Sequence, residues 1–246
     1  MKTYIIDSHS EVLPHWFEEY IKLKLPLVVV RIDKHDDMNH ECPALPSNEG
    51  RQSFEYLTKM MPYLYGYSKS ELNEANFTCP AFHYGVIGAV YHFNPSEEKV
   101  DAYGRVSGNK FINVPKTKKD FRMIGGKRSN RIFWDDTATK LKIQCGRIIP
   151  APQTITIEEF GEDIRGSYYP VVIGFDLDGL WGIGDKGMAE EIIAEKIEKI
   201  KIVLGHIPSP IFACIARSQA PRTYVPPELV DKLQEAALDL IEAAYA

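Results

Sequence analysis

At 246 residues, with 44% hydrophobic and 26% charged side chains and a formal net charge of −5, the chain has the composition of a folded globule. It is long enough to bury a sizeable core, as one large α/β domain or two small ones. No apolar run approaches the roughly 18 residues of a membrane span, and no nucleic-acid-binding motif is present.

The opening Met1-Lys-Thr-Tyr-Ile-Ile-Asp7 meets an acid too early for a signal-peptide core. Residues 3–7 are expected to form a first strand, which runs into the polar stretch ending at Glu11 and carries His9 at its end. Residues 11–23 read as a helix, with Pro14 tolerated in its first turn and Trp16, Phe17, Tyr20 and Ile21 on its apolar face. Residues 25–33 hold three consecutive valines and then Ile32 after Arg31, the pattern of a buried strand in a mainly parallel sheet.

That strand ends in Asp33, His35, Asp36 and Asp37. Residues i, i+2 and i+4 of a strand share a face, which would bring Asp33, His35 and Asp37 together. So dense a cluster beside a valine run is costly to desolvate unless something balances it. Carboxylates with a neutral imidazole suit a divalent metal: manganese, zinc or iron.

An irregular loop over 39–50 follows, holding His40 and Glu41. Residues 53–64 are expected to be a short helix with Phe54, Leu57 and Met61 on one side, 68–77 a second helix, and 86–93 a strand closed by Asn94-Pro95. From Lys99 to Arg147 thirteen Lys/Arg stand against four Asp/Glu, a local balance of +9. Glycine turns and short alternating pieces there indicate hairpins or an irregular excursion. The expected organisation is one domain over 1–246 with a basic insertion at about 96–150, either solvated surface or a docking face for an acidic partner.

Residues 171–179 repeat the earlier theme: an apolar strand ending in Asp176 and Asp178. Two strands that each deliver carboxylates from their C-terminal ends can share a site beyond the edge of an α/β sheet. Asp33 and Asp176 are the first-placed candidates to bridge two metals. Residues 187–204 form the clearest helix, with Ile192, Ile193, Ile197 and Ile200 as its stripe and Gly205 as its stop. Residues 211–216 are a buried strand, and Pro227 opens a last helix with Leu229, Leu233, Ala237, Leu240 and Ile241 facing inward. The four cysteines are scattered without a Cys-x-x-Cys pair, so reduced thiols and a cytoplasmic location are expected.

Asp33-Lys-His-Asp-Asp37 resembles the Asp-x-His-x-Asp motif of the arginase/deacetylase superfamily, and Phe175-Asp-Leu-Asp-Gly179 resembles its second Asp-x-Asp motif. Asp7-Ser-His-Ser-Glu-Val-Leu-Pro14, Ile215-Ala-Arg-Ser218 and Tyr224-Val-Pro-Pro227 look like a narrower group that includes the peptide arginases. The resemblance covers residues 1–95 and 165–246. It implies a three-layer α/β fold with a mainly parallel central sheet flanked by helices. It further implies a metal-dependent hydrolase that converts arginine side chains of a ribosomally made precursor peptide to ornithine, releasing urea.

Carried over residue by residue, the resemblance implies two Mn²⁺ ions, bridged by Asp33 and Asp176. His9 and Asp37 would complete one site, and His35 and Asp178 the other. Two dications sharing a water lower its pKa toward neutrality. The substrate's positive charge calls for a carboxylate, for which Glu11 and Asp36 are the candidates. His40 is the nearest spare histidine to protonate the leaving amine. Lys116, Lys118 and Lys119, the densest basic cluster, are expected to hold the peptide. The implied partner is that arginine-containing peptide, with no nucleic acid and no membrane, and with room for a homo-oligomer. A small-molecule ureohydrolase (arginase or agmatinase), a deacetylase-like hydrolase and a non-catalytic metal-binding module stay open as alternatives. Many members of the group have histidine where this chain has Arg31. A zinc deacetylase would usually carry a tandem His-His, which this chain lacks.

Overall fold

Every residue from Leu27 to Ile32 is buried, as is every residue from Val171 to Asp176 and from Phe212 to Ala216. Strands covered on both faces can carry little but apolar side chains, and these three are the centre of the molecule. The computed structural model describes residues 1–46, 53–112, 131–135, 140–144, 149–186 and 188–246. In chain order its first half holds β1 (Lys2–Ile6), α1 (Leu13–Leu23), β2 (Leu27–Ile32), β3 (Glu41–Pro43), α2 (Phe54–Ser70), α3 (Thr78–His83), β4 (Ile87–Phe93), β5 (Val100–Tyr103), β6 (Arg105–Ser107) and β7 (Lys110–Ile112). Then come β8 (Arg131–Asp135), β9 (Lys140–Gln144), β10 (Pro152–Ile155), α4 (Ile157–Arg165), β11 (Val171–Asp176), α5 (Ala189–Gly205), β12 (Phe212–Ala216) and α6 (Val230–Tyr245).

The main sheet runs β1-β12-β11-β2-β4-β5-β10. Its first five strands are parallel, and β5 and β10 close one side antiparallel. Alternation along β2 divides the core into two layers. Val28, Val30 and Ile32 pack with residues of α4, α5 and α6, whereas Leu27 and Val29 pack with α1, α2 and α3. The protein is therefore an α/β fold in three layers, helices over both faces of a mostly parallel sheet. Each large side chain brought fully inside, such as Phe17 or Phe175, contributes about 1.5–3 kcal/mol.

The described part of the basic stretch supplies β5 to the main sheet and an antiparallel β6–β7 hairpin. Antiparallel β8–β9 pairs onward to β3. Lys116, Lys118 and Lys119 lie outside the described residues.

The helices differ from expectation at one junction. Instead of two helices over 53–64 and 68–77, α2 runs on through Pro62 to Ser70, and α3 begins at Thr78. Leu64 and Tyr67 are buried, so packing carries the helix past the proline. It stops where side chains compete for the backbone. Asn73 Oδ1 accepts from the amides of Ala75 and Asn76, and Asn76 Oδ1 accepts from that of Asn73. Among the described residues no helix is long and apolar enough to cross a membrane.

Candidate metal centre

Because β1, β12, β11 and β2 are parallel neighbours, their carboxyl ends open on one edge of the sheet. His9 follows β1 in a 3₁₀ turn, Asp33 to Asp37 follow β2, Asp176 ends β11 with Asp178 just beyond, and Ser218 follows β12. The convergence of Asp33, His35 and Asp37 is not that of a strand face. β2 stops at Ile32, and the three residues sit in a turn in which Asp37 is left-handed, at φ 51°. Ser218 is left-handed too, at φ 55°. Non-glycine residues held in this region concentrate where the surrounding structure over-determines them, as at functional sites.

His9 Nδ1 is surrounded by Asp33 Oδ2 at 3.1 Å, Asp37 Oδ2 at 3.3 Å and Asp176 Oδ2 at 3.4 Å. Yet His9 Nδ1 and Asp33 Oδ2 are buried and make no hydrogen bond among the described residues. Atoms bound to one ion at about 2.0–2.2 Å lie about 3 Å from each other, so this cage fits a cation better than a hydrogen-bonded cluster. His9 is 2% exposed and Asp33 1%. A Cβ at Gly174 of β11 would lie 3.3 Å from His9 Nε2, so glycine leaves the ring its place.

A second ligand group consists of Asp33, His35 and Asp178, with His35 Nδ1 2.9 Å from Asp178 Oδ2. Of the two expected bridges, Asp33 belongs to both groups, whereas Asp176 belongs to neither and faces His9. Asp176 turns Oδ2 to His9, while its Oδ1 accepts from Ser218 Oγ and the Asp178 amide. All six metal-type residues foreseen from the sequence are thus brought together.

The electrostatics describe ligands crowded without a cation. Burial opposes a charged His9, but the carboxylates of Asp176, Asp33 and Asp37 outweigh it and raise its pKa well above the ordinary value. Burial, with Asp178 and Asp33 nearby, raises Asp176. Asp178 lifts the half-exposed His35 to about 9. A metal takes only the neutral imidazole, so below that pH it must displace a proton. Affinity for Mn²⁺ should therefore rise from pH 6 to about 9, by up to about tenfold per pH unit for each displaced proton. Calorimetric titration across that range checks this; a flat affinity would contradict it.

Arg31 has its own task behind the ligands. Fully buried, it donates to the Asp36 carbonyl and, at 2.6 Å, to Thr78 Oγ1, with its guanidinium 4.9 Å from the Phe77 ring centre. It faces the α1–α3 layer and ties the ligand turn to α3. From the same face of the sheet, His92 Nε2 donates to the Asp33 carbonyl at 3.1 Å. Arg31→Met should keep the fold and the stem's packing while weakening Mn²⁺ binding roughly 10- to 100-fold, the usual cost of losing a partner that orients ligands. Equal affinity in the variant would remove Arg31 from this role.

The ligands form the floor of a cavity of about 600 Å³. Asp36 lines it, and its Oδ2 accepts from Tyr103 OH at 2.7 Å. Glu11 does not. It pairs with Lys69 Nζ at 2.9 Å and completes a capping box with Ser8, so it serves a turn and an ion pair. His40 is exposed and outside the lining, because β3 begins at Glu41 and carries the chain away. The wall instead holds Glu74, Arg222 and Tyr224, which no spacing in the sequence singled out as site residues. Tyr224 stood in a motif, but its partner Glu74 lies 150 residues away. No family model matches the chain, and no curated protein matches it significantly.

Proposed function

We propose that the chain is a two-metal hydrolase of guanidinium groups, of the peptide-arginase kind. The observation that carries the reading is the His9 cage of three carboxylates joined through Asp33 to a second ligand group. His9, Asp33, Asp37 and Asp176 would hold one Mn²⁺, and Asp33, His35 and Asp178 the other. When bound, such a pair supplies Lewis acidity and a water acidic enough to act near neutral pH.

The overall change adds water across the guanidinium carbon and breaks its bond to the side-chain nitrogen. That nitrogen gains a proton and leaves as the ornithine amine, with urea as the other product. This chain's contribution is positional. Arg31 and His92 fix the ligand turn from behind through its carbonyls. Ser218 fixes Asp176. The acidic lining favours a cationic substrate over a neutral one.

A second reading, hydrolysis of a free small guanidinium compound, has Arg222 in its favour. Arg222 lies in the cavity lining and is exposed, so it can meet the carboxylate of a free amino acid. Manganese-loaded protein should be offered a capped arginine peptide, free arginine, agmatine and an acetyl-lysine peptide. Urea released with the highest kcat/KM from the capped peptide is the expected result. Urea from arginine or agmatine alone would favour the second reading. Acetate release without urea would overturn both.

A further inference from the structure

We infer that Glu74 is the carboxylate that receives the substrate's guanidinium, held in position for it by Tyr224. The inference rests on the reading of the cavity as a guanidinium site and adds the residue that recognises the cation.

The charges of the lining come first. Among the described residues six carboxylates and one arginine line the cavity. Asp33, Asp37, Asp176 and Asp178 are the carboxylates proposed to hold metal, and two dications would balance their four charges. Asp36 and Glu74 then remain against Arg222, a net single negative charge that suits a monocation.

Of the two remaining carboxylates, only Glu74 is poised. Asp36 is exposed and bound to Tyr103. Glu74 accepts from Tyr224 OH through Oε1 at 2.8 Å, whereas its Oε2 is buried and accepts no hydrogen bond among the described residues. An unpartnered buried acceptor is unfavourable, and it gains most from a ligand that brings N–H donors. A guanidinium offers parallel donors that match a carboxylate edge, and such pairs are both directional and strong.

The carboxylate is also rigidly mounted. It sits in the turn closed by the Asn73 and Asn76 side chains. The Asn39 amide donates to the Ala75 carbonyl at 2.8 Å, joining that turn to the segment after Asp37. Tyr224 reaches the other way: its amide donates to the Ser218 carbonyl, and its ring centre lies 5.5 Å from that of His35. Burial first, and then Glu74, push the Tyr224 phenol up to about 12, so at neutral pH it is a donor to Glu74. One connected wall therefore runs from Glu74 through Tyr224 to both ligand groups.

The test uses manganese-loaded protein and Nα-acetyl-arginine-N-methylamide, whose only charge is its guanidinium, with the citrulline counterpart as the uncharged control. Glu74→Gln should keep its metal and its citrulline affinity. It should lose arginine affinity, read as kcat/KM where urea forms and as a calorimetric Kd where it does not, by roughly 10- to 100-fold. Tyr224→Phe should lose about 3- to 10-fold, since the carboxylate stays and only its tether goes. Glu74→Gln with wild-type kcat/KM for urea release would overturn the role of Glu74 and leave hydrolysis standing. Glu74-dependent arginine binding without urea would support the role and overturn hydrolysis. A wild type that binds capped arginine no better than citrulline would overturn the inference. So would a Glu74→Gln protein that loses metal and both ligands together.

Discussion

An Asp33→Asn protein is expected to fold, to hold neither metal at wild-type affinity, and to lose activity by at least about a thousandfold. Asp33 is the residue common to both ligand groups. Asparagine keeps its shape and the carbonyl oxygen that accepts from the His35 amide, a bond of 2.8 Å in the native protein. What goes is the charge and the second anionic ligand atom, Oδ2, which faces His9. Metal-free, the variant should melt no lower than metal-free wild type, because it removes one of four crowded buried carboxylates. Metal analysis of the purified variant and its melting curve after chelation check the two halves. Wild-type metal content would contradict the shared role.

The second large effect is that of metal on stability. Without cations, Asp33, Asp37, Asp176 and Asp178 stay buried around His9 and His35, offset by imidazolium protons and a few neutral donors such as Ser218 Oγ and the His35 amide. A ligand at about 100 times its Kd stabilises by about 2.7 kcal/mol per site, so two sites give about 5 kcal/mol. For a chain of this length that is a rise in Tm of about 10–20 °C. Chelation should reverse it in the wild type and change little in Asp33→Asn. A wild-type Tm indifferent to chelator would mean that the cage does not depend on a cation.

The strands and the acidic clusters at their ends were legible for the same physical reason. Two-sided burial leaves β2 apolar but for Arg31 and β11 apolar up to Asp176, and carboxylates placed where such strands end stand out against that background. The reason the ligands meet was less visible. Asp33, His35 and Asp37 converge through a left-handed turn, and a turn of that kind leaves no periodicity to read. The end of α2 was hidden in side-chain chemistry, because Asn73 and Asn76 bond to their own backbone just where a helical pattern would otherwise continue. The helix α4 did carry a signal, the Thr156…Glu159 capping box, which precedes an apolar pair at Phe160 and Ile164.

Sequence proximity misled for the remaining site residues. His40 and Glu11 lie near ligands along the chain, but β3 leads the first away and Lys69 occupies the second. Glu74, Ser218 and Tyr224 are distant from the ligands along the chain and reach the cavity only because the loops after α2 and after β12 meet over one end of the sheet. Contacts of that kind are products of topology, and no local pattern encodes them.

The proposed function stands on this end of the sheet being a two-metal centre. Crystals of the manganese-loaded protein, measured at the manganese absorption edge, test it directly. Two anomalous peaks are expected a few ångströms apart, one among His9, Asp33, Asp37 and Asp176 and the other among Asp33, His35 and Asp178. A single peak, or none, at full manganese occupancy of the solution would contradict it.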